Sequence, residues 1–96
     1  MEQIERITRM ERALDEASAA VSVLEEALDR YAAAREGLME LTAYYASNQW
    51  MEDFDADRVG KLPQDLKRGV LSVDAVYNLL TGHARLLERM EALSGG

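Results

Sequence analysis

The chain has 96 residues, 48% hydrophobic and 30% charged, with a formal net charge of −7; this is the profile of one ordered domain with a modest core. The acidic balance disfavours sequence-independent binding to nucleic acid or anionic lipid, which both rely on clustered Lys and Arg. There is no cysteine, which excludes disulfides, thiolate catalysis and zinc ribbons.

The charge is uneven: residues 1–47 carry ten acids and five bases (−5), and residues 48–96 carry eight acids and six bases (−2). The opening MEQIERITRMER mixes acids and bases from its second residue, unlike the uncharged run of a signal peptide. No stretch approaches the roughly 20 apolar residues that span a bilayer. A cytoplasmic protein without a membrane partner is expected.

From Ile7 the apolar residues follow a heptad. One seam position reads Ile7, Leu14, Val21, Leu28, Arg35, Thr42, and the other reads Met10, Ala17, Leu24, Tyr31, Leu38, Tyr45. Ten of these twelve are apolar, which predicts one long helix over about 2–46. No Pro interrupts it, and Gly37 costs only about 1 kcal/mol. Glu2/Arg6, Glu5/Arg9 and Glu26/Arg30 are expected to pair along its surface.

Nearly everything that is not plain amphipathic helix falls between Asn48 and Asp74, including the only Trp (Trp50), Phe (Phe54) and Pro (Pro63). Ser47 or Asn48 is suited to cap a short helix over about 49–58. Gly60 suits a left-handed stop, and Leu62-Pro63 forces an extended turn. The Pro/Gly connector over 59–71 is expected to hold one helical turn, Gln64 to Arg68, stopped by Gly69. Trp50, Phe54, Leu62, Pro63, Gly69 and Leu71 are its expected structural anchors, with Trp50 and Phe54 largely buried.

Ser72 precedes a last helix over about 73–93, whose face reads Val73, Val76, Tyr77, Leu80, Ala84, Leu87, Met90. The expected fold is therefore all-α, a single helical domain over 1–96, with the last helix returning antiparallel along the first. A helix of about 45 residues is roughly 67 Å long, and one of about 21 covers roughly 32 Å. The return shields only the second half of the first helix, leaving Ile4, Ile7, Met10, Leu14, Val21 and Leu24 open. Homodimerisation through a seam of Ile7, Leu14 and Val21 would complete the bundle. The competing remedy is a break near Ser18–Ser22, the weakest stretch by helix propensity.

Candidate chemistry is sparse. Asp53, Asp55 and Asp57 alternate like the opening of a calcium loop, but Arg58 and Gln64 stand where that loop needs Gly and Glu. His83 is the only histidine, and its place at the packing face suits a hydrogen-bonded structural residue. Glu25, Glu26, Asp29, Glu52 and Asp55 echo the acidic clusters with which all-α nucleotide pyrophosphohydrolases hold magnesium. That alternative needs hard oxygens converging on one point, whereas the first three flank or oppose the seam. Arg58, Lys61, Lys67 and Arg68 form a basic cluster that could receive a phosphate or nucleic acid. Neutralisation of the neighbouring acids is the simpler expectation, since no aromatics interleave for base stacking. No catalytic, cofactor-binding or metal-binding residue is assigned, and an unidentified protein partner is the remaining possibility beside self-association.

One stretch carries a resemblance. It reads Tyr44-Tyr45-x-Ser47-x-x-Trp50-x-x-Asp53, then Gly60-Lys61-Leu62-Pro63-x-Asp65-Leu66-Lys67-Arg68-Gly69-Val70-Leu71-Ser72-x-Asp74-x-Val76-Tyr77-x-Leu79-Leu80. Over residues 44–80 the chain resembles a family of short bacterial proteins catalogued as a domain of unknown function. An acid is common in that family where Val73 stands here. The resemblance implies an all-helical cytoplasmic protein and implies no activity. The expectation is a non-enzymatic interaction or structural protein, with its role unknown.

Overall fold

A computed structural model describes residues 1–95. The described residues are all-helical without a strand: α1 (Glu2–Tyr45), α2 (Asn48–Arg58), a single 3-10 turn (Gly69–Leu71) and α3 (Val73–Ser94). The chain divides into two units, Met1–Glu36 and Gly37–Gly96.

The first unit is helix throughout from Glu2, and it passes through Ser18–Ser22 without a break. The break considered near Ser18–Ser22 does not occur: with neither Gly nor Pro there, nothing stops the hydrogen-bond ladder. The expected Glu2/Arg6, Glu5/Arg9 and Glu26/Arg30 pairs do not close; the Met1 amine instead reaches Glu5 at 4.0 Å. All of these side chains are exposed, where an ion pair scarcely offsets the entropy of fixing two long side chains.

In the second unit α1 ends at Tyr45, and Ser47 makes the corner. Its hydroxyl donates to the Tyr44 carbonyl at 2.6 Å and accepts the Trp50 amide at 3.3 Å. One side chain thus closes one helix and caps the next. The end of α2 is a Schellman motif. Lys61 N–H donates to the Ala56 carbonyl and Gly60 N–H to that of Asp57, at 2.9 and 3.1 Å, with Gly60 at φ +75°. An L-residue there would meet the left-handed penalty, which is why the stop falls on a glycine.

The connector differs from expectation in one respect. Its helical turn lies at Gly69–Leu71 rather than Gln64–Arg68, so Gly69 opens the turn instead of stopping it. The Gln64 carbonyl that would anchor the earlier turn accepts from the Arg68 side chain at 2.9 Å. A side-chain donor has replaced the helical amide. Ser72 stands at the N-cap of α3, but its side chain makes no cap hydrogen bond.

Trp50, Leu71 and Val76 form the buried core, at 8%, 6% and 3% exposure. Leu38, Leu41, Tyr44, Tyr45, Phe54, Leu62, Leu80 and His83 are half-buried around it. α3 packs against the end of α1, where the Tyr45 hydroxyl donates to the Val73 carbonyl at 3.3 Å. Burial on α3 centres on Val76 and Leu80, while Val73, Tyr77, Leu87 and Met90 of its predicted face remain exposed.

Candidate functional site

Three aromatic rings from two helices meet at the junction in the second unit. Trp50 stacks on Phe54, with centroids 5.2 Å apart and planes 19° apart, and Tyr45 meets it edge-on at 5.2 Å and 73°. Both arrangements suit the ring quadrupole. The four-residue spacing of Trp50 and Phe54 puts them on one face of α2. The indole Nε1–H donates to the Val70 carbonyl at 2.9 Å, tying the 3-10 turn, with its buried Leu71, to α2. Among the expected anchors, Trp50 and Leu71 are buried, Phe54 and Leu62 half-buried, and Pro63 and Gly69 exposed.

Sequence reasoning missed two polar links here. The first is Tyr44, whose hydroxyl donates to an Asp53 carboxylate oxygen at 2.6 Å. That hydrogen bond, then partial burial and the carboxylate's charge, push the Tyr44 phenol up to about 12 from its ordinary 10. Since the folded value is raised, the link stabilises fully below pH 10 and is lost as pH rises from 10 toward 12. Absorbance at 295 nm should show a tyrosinate transition near pH 12 that Tyr44→Phe removes and Asp53→Asn moves down toward 10. A titration unaffected by Asp53→Asn would show that the carboxylate does not hold this proton.

The second link is Arg68. Its Nη1 donates to Asp57 Oδ1 at 2.6 Å, and its Nη2 reaches the Gln64 and Pro63 carbonyls at 2.9 and 3.3 Å. The planar fork serves three acceptors from α2 and the connector, and an ammonium offers no such geometry. Arg68→Ala should lower the stability of this unit by about 1–2 kcal/mol, and Arg68→Lys should recover little of it. Urea unfolding followed by Trp50 fluorescence measures both. A lysine variant as stable as the parent would mean the charge alone suffices.

The basic cluster is thus partly committed. Arg68 holds Asp57, and Arg58 lies 3.6 Å from Asp55, as neutralisation of neighbouring acids would have it; Lys61 and Lys67 are exposed. Among the acids, Asp53 accepts from Tyr44, and Asp55 and Asp57 face arginines. Glu25, Glu26 and Asp29 lie in the first unit, Glu52 and Asp55 in the second. Among the described residues no three His, Asp or Glu side chains gather so as to hold a metal ion. No helix there is long and apolar enough to cross a membrane.

The first unit offers a different kind of surface. Ile4, Ile7, Met10, Leu14, Val21, Leu24 and Leu28 are each between 42% and 63% exposed. They share one face of α1 because the heptad nearly matches two helical turns. Scattered exposed aliphatics are ordinary on a protein surface, whereas a continuous stripe marks a contact face.

The family model for DUF4298, a domain of unknown function, matches residues 7–93. Comparison with curated proteins and with solved structures gives no match.

Proposed function

The chain belongs to this family of unknown function, and from that premise we propose a non-enzymatic interaction protein that self-associates through residues 1–36. The observation carrying this reading is the exposed stripe of Ile7, Leu14 and Val21 with its aliphatic neighbours. Burying each large aliphatic side chain contributes about 1.5–3 kcal/mol, so a lone chain forgoes a substantial stabilisation that a partner recovers. A second copy supplies a matching surface without further components, and closed twofold dimers are the commonest oligomers. The junction around Trp50 supports the same reading, because its polar groups are engaged in holding turns together.

Sedimentation equilibrium of the full chain at micromolar concentration tests the proposal. A dimer is expected, and a compact 10.8 kDa monomer at all concentrations would overturn self-association. The non-enzymatic half is tested by incubating the protein with magnesium and a panel of nucleoside triphosphates. Pyrophosphate release abolished by Glu26→Gln and Glu52→Gln would replace this reading with a hydrolase.

A further inference from the structure

Resting on that reading, we infer that the second copy pairs with α1 parallel and in register, Arg6 of each copy facing Glu11 of the other. The heptad fixes which residues flank the seam. Counting Ile7, Leu14, Val21 and Leu28 as a, and Met10, Ala17 and Leu24 as d, the g positions are Arg6, Ala13, Ala20 and Ala27. The e positions are Ile4, Glu11, Ser18 and Glu25. In a parallel pair each g residue faces the e residue five places on in the other chain. That register makes two Arg6–Glu11 contacts, related by the twofold axis, and places no like charges opposite one another at the flanks.

The antiparallel register that covers the same stripe sets Met10 against Leu28 and Leu14 against Leu24. It brings e positions together, so Glu11 faces Glu25 twice, and Arg6 meets only alanine. In the single chain Arg6, Glu11 and Glu25 are exposed, and none of them closes an ion pair among the described residues. Their charges are available to a partner. The seam agrees with the flanks: its β-branched residues, Ile7 and Val21, both occupy a, and Met10, Ala17 and Leu24 at d are unbranched at Cβ. Within a parallel arrangement, that division favours two strands over three or four; the direction itself rests on the flanking charges. Arg35 would meet its own copy at the end of the stripe, where a long side chain carries its guanidinium out to water. In this arrangement both chains enter Gly37 at the same end of the pair.

The chain lacks cysteine, so single-cysteine variants report direction cleanly. Met10→Cys and Leu28→Cys proteins are mixed, allowed to exchange subunits, oxidised mildly and weighed by mass spectrometry. The parallel pair gives Met10→Cys and Leu28→Cys homodimers and no mixed species. Mixed species alone, from a protein that sediments as a dimer, overturn the direction and leave self-association standing. A dimer that yields no cross-link in any combination overturns this seam, and a monomer at every concentration overturns the parent reading as well. Charge variants give an independent sign. Glu11→Arg should weaken the parallel dimer about tenfold by replacing two attractions with two repulsions, and adding Arg6→Glu should restore it. In the antiparallel pair Glu11→Arg would instead strengthen association by meeting Glu25, so tighter association would defeat the inference.

Discussion

Leu14→Glu is expected to convert the proposed dimer into a monomer at micromolar concentration while leaving the second unit folded. Leu14 lies at the middle of the exposed stripe, and the proposed dimer would contain it twice. Removing two buried leucines forfeits about 3–6 kcal/mol of apolar burial, and two carboxylates brought into an apolar seam add a desolvation cost. The dissociation constant should rise at least about 100-fold, at 1.4 kcal/mol per factor of ten. In the separate chain the new carboxylate is solvated, so α1 tolerates it at little cost. Sedimentation measures association, and Trp50 emission reports whether the junction in the second unit is intact. A Leu14→Glu protein that still sediments as a dimer would place the interface elsewhere, with the exposed end of α3 next to be tested.

Trp50→Ala should have the largest effect on the second unit. Among the described residues only Trp50, Leu71 and Val76 are buried, so removing the largest removes much of what holds the connector. Truncating a buried aromatic typically costs about 3–5 kcal/mol, which approaches the whole stability of a small domain. Trp50→Phe separates the contributions, because it keeps a ring against Phe54 and Tyr45 but loses the donor to the Val70 carbonyl. Val70 is itself partly exposed, so water can reach that carbonyl, and the phenylalanine variant should lose only about 0.5–1.5 kcal/mol. Urea unfolding followed by circular dichroism at 222 nm compares the three proteins. Equal midpoints for Trp50→Ala and the parent would show that the connector is held by something other than the indole.

The helices and their ends were legible in the sequence. Heptad spacing, the absence of proline before residue 63 and the Ser47, Gly60 and Pro63 signals are local, and each acts through backbone conformations a few residues away. The boundaries Glu2–Tyr45, Asn48–Arg58 and Val73–Ser94 follow from them to within a residue of the expected limits. Trp50 as the anchor was also legible, since the one large amphipathic ring in a turn-rich stretch has few other uses.

Tertiary structure decided which side chains reach across the junction. Tyr44 and Asp53 are nine residues apart, Arg68 and Asp57 eleven, and Trp50 and the Val70 carbonyl twenty. No periodicity encodes such meetings, because they depend on the angle at which Ser47 turns α2 away from α1. The displaced helical turn has the same origin: a turn does open at Pro63, closed by the Leu66 N–H on the Pro63 carbonyl at 3.2 Å, but the Arg68 guanidinium takes the Gln64 carbonyl and the 3-10 turn forms at Gly69–Leu71. The aliphatic face of α3 shows the limit of pattern most clearly. Its spacing marks Val76, Leu80, Leu87 and Met90 alike as packing residues, yet only the first two are covered in the single chain. Hydrophobic spacing states what a helix can bury; which of those positions are buried depends on how far a neighbouring surface extends.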